Sequence, residues 1–204
     1  LRPRLVIANF KRWTLRELDL RREAASASEL AEVMKGHEGY RIPSVDWDRT
    51  NGRVMTIDWI DGIKISDREA LVAAGHDLPA LAEHLVLTFL RQAISNGFFH
   101  ADMHQGNLFV QGDGTIAAID FGIMGRIDRR ARLWLAEILY GLTTGNYRRV
   151  AEIHFEAQYV PSYHSVDEFA TALRAVGEPT RGRPVSELSV GQMLDSLFAI
   201  TREF

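Results

Sequence analysis

Apolar side chains recur at helical spacing in two long stretches of the chain. Residues 14–35 are rich in Leu, Arg, Glu and Ala, which are good helix formers, and they carry an imperfect apolar stripe. Residues 79–96 carry a broad apolar face that includes Leu81. Gly36 and Gly97 follow the two stretches, and glycine is a common residue just past the end of a helix. We therefore predict one helix in each stretch.

Two apolar runs between these helices, residues 42–47 and 53–60, predict a pair of strands. Asn51-Gly52 lies between the two runs, and this dipeptide is a strong signal for a tight hairpin turn. We therefore predict a hairpin in this part of the chain.

Capping signals predict further helices. Ser66 is followed three residues later by Glu69, a capping-box pattern, and Gly75 supplies a stop for the short helix that it opens. The part of the chain after about residue 128 is predicted to be all-helical. Its predicted features are helices over residues 128–142 and 146–157, helix starts at Ser165 and Ser189, and a loop near residues 177–185.

Composition limits the classes of function. The chain has 204 residues, of which 46% are hydrophobic and 25% charged, as is ordinary for a globular protein. A net charge of -3 argues against a nucleic-acid-binding face, which needs a basic excess. Because cysteine is absent, disulfides, thiolate metal sites and cysteine nucleophiles are excluded. The chain begins at Leu1 without an initiator Met and ends inside a predicted helix, so we expect a fragment of a longer protein.

The chemistry of the chain is concentrated in residues 99–107. His100, Asp102 and Asn107 stand in the spacing H-x-D-x-x-x-x-N, which is typical of the catalytic loop of protein kinases. A dozen residues later, Asp120 opens the triplet Asp-Phe-Gly. Either motif alone is weak, but their order and separation together indicate a phosphoryl-transfer centre.

A predicted hairpin separates the two motifs. Residues 108–110 and 115–119 are apolar, strand-like runs, and Gly112-Asp113-Gly114 between them signals a tight turn. A hairpin here would bring Asn107 and Asp120 to the same end of two paired strands. This placement suits magnesium, a hard cation that prefers oxygen ligands and keeps several waters.

Phosphoryl transfer depends mainly on positioning and charge neutralisation, and each motif residue suits one such task. Asp102 is predicted to face the accepting hydroxyl or water as the catalytic base. Asn107 and Asp120 are predicted to act in catalysis by holding Mg2+ against the phosphates of ATP. His100 is predicted to brace the loop, and His104 to lie at its rim as a solvated side chain.

The remaining predicted contacts to the nucleotide come from two segments. In a kinase-like order, the strands up to residue 60 lead to a hinge whose backbone reads the adenine edge. The residues expected to contact the nucleotide are Asp58, Trp59 and Ile60 of this hinge, and Phe121 and Gly122 of the Asp-Phe-Gly triplet.

Four segments of the sequence, residues 17–24, 59–62, 98–107 and 119–126, together resemble the UbiB family of atypical kinases, bacterial relatives of the coenzyme Q biosynthesis kinases. The resemblance implies an α+β, protein-kinase-like fold with a mostly helical C-lobe and a partial N-lobe of one helix and two strands. We place the partial N-lobe at residues 1–60 and the C-lobe, with a truncated C-terminus, at residues 61–204.

The resemblance also implies roles for three acidic residues of the first helix. Glu23 is similar to the helix glutamate that pairs with the nucleotide-binding lysine and so helps to bind the nucleotide. Glu17 and Asp19 are similar to the family's E-x-D, which faces an N-terminal extension lying over the active site. The nucleotide-cradling loop and the partner lysine of Glu23 are expected upstream of Leu1, so we expect this fragment alone to be inactive.

The sequence departs from the family and from ordinary kinases in the catalytic loop. Met103 and Gln105 stand where family members usually carry prolines. Ala101 replaces the arginine of ordinary protein kinases, and no A-P-E follows the Asp-Phe-Gly triplet. Regulation by phosphorylation of an activation loop is therefore not expected.

The function implied by the resemblance is Mg2+-dependent ATP binding and hydrolysis in support of ubiquinone biosynthesis. The implied partners are prenyl-lipid intermediates or quinone-biosynthesis enzymes, with peripheral attachment to the inner face of a bacterial membrane through parts absent from this chain. Two alternatives remain open. One is a small-molecule phosphotransferase of the aminoglycoside or choline kinase type, and the other is a non-catalytic, nucleotide-gated scaffold of a membrane complex.

Overall fold

The chain forms two compact units, residues 1–127 and residues 128–204, and each has its own hydrophobic core. The computed structural model describes residues 3–181, 199–200 and 204, without the side chains of residues 12–13, 15–17 and 180. The helix start predicted at Ser189 and most of the loop predicted near residues 177–185 lie outside the described residues. The predicted lobe boundary at residue 60 stays a prediction.

The first unit combines helices with short strands. The described helices are α1 (Pro3–Glu17), α2 (Leu20–Val33), α3 (Arg68–Ala73) and α4 (Leu78–Leu90). The described strands are β1 (Tyr40–Arg41), β2 (Ile63–Lys64), β3 (Phe98–His100), β4 (Leu108–Val110), β5 (Ile116–Ala118) and β6 (Met124–Arg126). None of the described helices is long and apolar enough to cross a membrane.

The helix predicted over residues 14–35 is wrong as a single element. The chain leaves helical geometry at Leu18 and Asp19, and α2 begins anew at Leu20. The reason is a cap: the Asp19 carboxylate accepts a hydrogen bond from the backbone N–H of Arg21 at 3.3 Å. An aspartate in this position satisfies a free N–H group of the first turn, and this competes with helix continuation.

The other helix predictions for this unit are confirmed. The short helix α3 is present, but its cap is Asp67, whose carboxylate accepts the N–H of Ala70, and not the predicted Ser66. α3 ends before Gly75, which has a φ of +82°. α4 continues as a π-helix over Arg91–Asn96, which ends at Gly97 with a φ of 73°. Only glycine adopts this left-handed conformation at little cost. The chain then turns directly into β3.

The strands form two small sheets. The larger has the order β1-β5-β4-β2, with β1 parallel to β5 and the other neighbours antiparallel. The smaller pairs β3 with β6 in antiparallel fashion. The hairpin predicted around Gly112-Asp113-Gly114 is confirmed as β4 and β5, in which Leu108 lies opposite Ala118.

The pair of strands predicted over residues 42–47 and 53–60 is wrong in its extent. One isolated bridge, Val45 with Ile57, joins these segments, and a second, Asn51 with Val54, closes the turn between them. Trp47–Arg49 forms a 3-10 turn capped by the Asp46 carboxylate. The cap draws the chain out of extended geometry. The Asn51-Gly52 turn itself is confirmed, because the N–H of Asn51 donates to the carbonyl of Val54 at 2.7 Å.

The core of the first unit includes residues that directly follow two of the predicted catalytic residues, Asn107 and Asp120. Leu30 of α2, Leu71 of α3, Leu108 of β4 and Phe121 of the Asp-Phe-Gly triplet are all buried in one cluster. Full burial of such a side chain stabilises a fold by about 1.5–3 kcal/mol. The core therefore fixes the start of the Asp-Phe-Gly segment against α2 and the sheet.

The regular elements described in the second unit are helical, as predicted. They are α5 (Arg129–Thr144), α6 (Tyr147–Glu156) and α7 (Val166–Gly177), followed by a 3-10 turn over Glu178–Thr180. Asp128, Asn146 and Ser165 cap the three helices through their side chains. α6 packs on both α5 and α7 within this unit.

Candidate active site

The predicted catalytic loop is a compact turn between β3 and β4. The N–H of His104 donates to the carbonyl of Asp102 at 2.8 Å, and the N–H of Asn107 donates to the carbonyl of His104 at 3.0 Å. Residues 105–107 form a 3-10 turn that leads into β4. These bonds hold Asp102 and Asn107 at fixed places on a short loop, and the side chain of Asp102 stays 42% exposed.

His100 joins this loop to the Asp-Phe-Gly segment. Its Nδ1 accepts a hydrogen bond from the N–H of Asp102 at 3.1 Å, and its ring lies 5.6 Å from the Phe121 ring. Gln92 of the π-helix accepts the backbone N–H of His100 at 3.0 Å. The predicted bracing position of His100 agrees with these contacts.

Burial also disfavours the charged form of His100. The side chain is 1% exposed, and desolvation lowers its pKa from the ordinary value. The Asp120 carbonyl and the carboxylates of Asp120 and Asp102 oppose this shift. His100 therefore lies between the loop that carries Asp102 and the segment that carries Asp120.

Asn107 and Asp120 lie at the same end of the β4–β5 hairpin. The N–H of Ile119, directly before Asp120, donates to the carbonyl of Asn107 at 3.1 Å. Asp120 is exposed, and its Oδ1 accepts the N–H of Gly122 at 3.0 Å. The Gly112-Asp113-Gly114 turn in the sequence predicted this placement of Asn107 and Asp120.

The donor set at this end of the hairpin fits a magnesium ion. Asn107 is 8% exposed, and its Nδ2 has no hydrogen-bond partner among the described residues. This amide group therefore does not stabilise the fold through a hydrogen bond of its Nδ2. The exposed carboxylate of Asp120 supplies an anionic oxygen, which hard cations prefer. In the described part of the chain, no group of three or more His, Asp or Glu side chains could hold a metal by itself. A magnesium ion here would therefore depend on nucleotide phosphates and water for its other ligands.

Glu23 contacts the Asp-Phe-Gly segment directly. Its Oε1 accepts a hydrogen bond from the backbone N–H of Phe121 at 3.3 Å, across 98 positions of sequence. Phe121 itself is fully buried, whereas Gly122 is exposed beside Asp120. The predicted pairing of Glu23 with an upstream lysine stays a prediction.

Asp19 has a local structural task that the sequence reasoning missed. Besides capping α2, its carboxylate forms a two-pronged ion pair with Arg21, with both N–O distances at 2.8 Å. The hydrogen bonds from the Arg21 side chain lower the pKa of Asp19. The side chain of Glu17 lies outside the described residues, so the E-x-D role of both acids stays a prediction.

The predicted hinge residues form a separate part of the first unit. Asp58 exchanges two hydrogen bonds with Ser44, at 3.0 and 3.2 Å. Trp59 is 87% exposed and Ile60 is half-buried. Among the described residues, no hydrogen bond joins residues 58–60 to the catalytic loop or to residues 120–122. Their predicted contact with the adenine stays a prediction.

His104 makes a contact that was not predicted. The side chain is 56% exposed, in line with a place at the loop rim, but its Nε2 lies 3.7 Å from Oδ2 of Asp102. Its Nδ1 accepts the N–H of Gly106 at 3.0 Å, so the proton of the neutral ring is on Nε2, facing Asp102. The only signal for this contact in the sequence is its position two residues after Asp102.

A second unpredicted link joins α2 to β6. Arg126 forms an ion pair with Glu29 at 2.6 Å, and its guanidinium lies 4.3 Å from the centre of the Phe98 ring. The hydrogen bond that Arg126 donates to the Glu29 carboxylate raises the pKa of Arg126. Together with Glu23, this link holds α2 to both ends of the segment that follows β5.

Comparison with known proteins supports the kinase-like interpretation of this geometry. The chain is 39% identical over 210 residues to proteins named probable protein kinase UbiB from Xanthomonas axonopodis pv. citri and from Xanthomonas euvesicatoria pv. vesicatoria. The alignments cover 100% of this chain but 38% of each relative, so the chain spans well under half the length of these relatives.

A solved structure and a family pattern agree with this similarity. The fold is similar to that of Rv3197 from Mycobacterium tuberculosis, solved with erythromycin, with a TM-score of 0.63 and 21% identity over 96% of this chain and 56% of that chain. The predicted α+β, kinase-like fold class is thereby confirmed. The sequence pattern of the ABC1 atypical kinase-like domain matches residues 1–154. The chain therefore belongs to the ABC1 atypical kinase-like family, and its resemblance to UbiB proteins is confirmed.

Proposed function

We propose that the full-length protein containing this chain binds ATP with Mg2+ and catalyses phosphoryl transfer, as an ATPase or as a kinase for an acceptor still to be identified. The observation that most supports this function is the position of Asn107 and Asp120 at one end of the hairpin, with His100 bonded to the backbone of Asp102 and its ring beside that of Phe121. Phosphoryl transfer needs this kind of convergence, because catalysis depends on positioning and charge neutralisation.

Each residue of the site has one task in this proposal. Asp102 orients the attacking hydroxyl or water and accepts its proton. Asn107 and Asp120 would hold magnesium, which supplies charge neutralisation at the phosphates when bound. Glu23 holds the backbone of Phe121 and so keeps Asp120 in place, and it would also order the upstream lysine.

The biological setting belongs to the same proposal. Relatives named UbiB support a role in ubiquinone biosynthesis. We propose that the full-length protein acts at the cytoplasmic face of a bacterial membrane, which it binds peripherally through parts outside this chain. Its proposed partners are prenyl-lipid intermediates or the enzymes that process them, and nucleic acid is not among them.

Asp120→Asn in the full-length protein tests the enzymatic function. We expect ATP hydrolysis to fall at least about 100-fold, because the variant loses the anionic oxygen at the metal position. Asp113→Asn is the matched control, since Asp113 is an exposed aspartate in the turn at the other end of the same hairpin. Hydrolysis at the parent rate in Asp120→Asn would contradict the proposal. Normal quinone production without hydrolysis would support the non-catalytic scaffold instead.

A further inference from the structure

We propose that a cavity beside the catalytic loop binds a small, mainly apolar molecule that carries an acidic group. This site goes beyond the proposed phosphoryl-transfer function. The cavity has a volume of about 400 Å³ and lies within the first unit, between α3, α4 and the loop. This volume falls within the range of about 300–1,000 Å³ that is usual for small-molecule sites. We call it the α3–α4 cavity.

The surface of the α3–α4 cavity is mainly hydrocarbon. Leu71 of α3, Leu81 of α4 and Leu108 of β4 line it and are buried. Leu85 and Met103 also line it and are half-buried. Apolar walls of this kind favour an apolar ligand, because binding removes hydrocarbon surface from water on both partners.

The charged group that lines the cavity is a cation, and the described residues supply no counter-ion for it. Arg68 lines the cavity and is exposed, and it forms no ion pair with any residue that the structure describes. Ser66 and Gln105 supply the other polar side chains of the lining, and no Asp or Glu belongs to its described part. Arginine presents a fork of N–H donors that suits a carboxylate, sulfonate or phosphate. The polar part of the ligand is therefore expected to be anionic.

The cavity also touches the loop that carries Asp102. Met103 directly follows Asp102, and Gln105 precedes Gly106 within the same turn. A ligand in the α3–α4 cavity contacts both side chains and restricts the turn. Binding is therefore expected to slow hydrogen exchange of the loop amides, a readout that does not depend on ATP hydrolysis.

The test is a titration of the full-length protein with anilinonaphthalene sulfonate, a fluorescent aromatic anion. Ala82→Phe narrows the cavity, because Ala82 lies on α4, is exposed and lines it. Ala80→Phe is the matched control, since Ala80 is exposed on the same helix but does not line the cavity. We expect Ala82→Phe to raise the Kd at least about tenfold and Ala80→Phe to leave it unchanged, with equal melting temperatures showing that both variants fold.

Charge and location are tested in the same protein. Arg68→Gln is expected to raise the Kd by about three- to tenfold, as for loss of one partly exposed charge-assisted contact. Octanoate is expected to displace the probe, whereas octylamine is not. Probe binding should slow exchange of the amides of residues 102–108 in the parent and not in Ala82→Phe. Equal affinity of Ala82→Phe and Ala80→Phe, or a parent without probe binding at this site, would overturn the proposal.

Discussion

The carboxylate of Glu23 accepts a hydrogen bond from the backbone N–H of Phe121 at 3.3 Å, which ties α2 to the Asp-Phe-Gly segment. Arg126 and Glu29 make a second tie a few residues further on, at 2.6 Å. Because both ties end on the same helix, α2 and the segment from Phe121 to Arg126 are held together as one part of the first unit. The position of Asp120 therefore depends on α2 as well as on the hairpin.

Two replacements of Glu23 separate its hydrogen bond with the Phe121 N–H, which affects stability, from its negative charge, which is expected to affect ATP affinity. Glu23→Ala removes the acceptor of the part-buried Phe121 N–H bond, and leaving such an N–H without a partner costs about 1–3 kcal/mol of stability. Glu23→Gln keeps an acceptor oxygen, so we expect its free energy of unfolding to stay near that of the parent while its ATP affinity falls. Chemical denaturation and ATP titration of the full-length variants measure the two effects. Equal loss of stability in both variants would show that the hydrogen bond to the Phe121 N–H does not account for the contribution of Glu23 to stability.

His104 is expected to position Asp102 for turnover. His104→Asn keeps an acceptor for the N–H of Gly106 but is too short to reach Asp102. Gly106→Ala acts on the same contact from the other side, because a Cβ there would lie 2.8 Å from Cε1 of the imidazole. We expect each variant to lower kcat for ATP about tenfold with little change in KM, since misplacing a catalytic group slows the chemical step.

The double variant gives the control for this prediction. If both substitutions act through the imidazole, His104→Asn combined with Gly106→Ala should be no slower than either alone, because coupled sites are not additive. Parent values of kcat in both single variants would contradict a positioning role for His104.

Gly125 is required for the pairing of β3 with β6. It lies opposite Phe99, and a Cβ at this position would fall 2.2 Å from Cζ of the Phe99 ring. We expect Gly125→Ala to destabilise the first unit by about 1–3 kcal/mol, as overpacking usually does. Gly112→Ala is the control, since nothing lies within 4 Å of the added Cβ there. Urea denaturation compares the two, and equal stabilities would mean that Phe99 moves aside without cost.

Stability of the first unit is expected to fall as pH decreases below about 6.5, the ordinary pKa of histidine. Burial lowers the pKa of His100, against the opposing charges of Asp102 and Asp120. The unfolded chain therefore takes up a proton at a pH where the folded chain does not, and this favours unfolding on the acid side. His100→Gln keeps an acceptor for the N–H of Asp102 and does not titrate.

Urea denaturation at pH 8 and pH 5.5 checks this expectation, with hydrogen exchange of β3 reporting on the first unit. The parent should lose more stability between the two pH values than His100→Gln. A parent and a variant with the same loss would place the pH dependence elsewhere, for example on His154 of the second unit, whose pKa burial also lowers.

Features that depend on neighbours in sequence were predictable. Gly97 ends the helix before β3, and Gly112-Asp113-Gly114 closes the β4–β5 hairpin. The sequence was therefore enough to place Asn107 and Asp120 at the same end of this hairpin. Turn residues act through backbone preference, which does not need knowledge of the tertiary fold.

Features that depend on a competition or on distant contacts were not predictable. Asp19 could continue a helix or cap a new one, and the strong helix formers around it favoured continuation. The bond of Glu23 to Phe121 joins residues 98 positions apart, and no local pattern reports it. The contact of His104 with Asp102 depends on the rotamer of the His104 side chain, which fits only because Gly106 has no Cβ.

The dependence of ATP affinity on magnesium tests the account most directly. In the full-length protein, the Kd for ATP should fall at least about tenfold when Mg2+ is added, because Asn107 and Asp120 would hold the ion that neutralises the phosphates. Asp120→Asn should lose most of this gain, while Asp113→Asn should keep it. If Asp120→Asn gains as much from Mg2+ as the parent does, the two oxygens at the end of the hairpin are not the metal site.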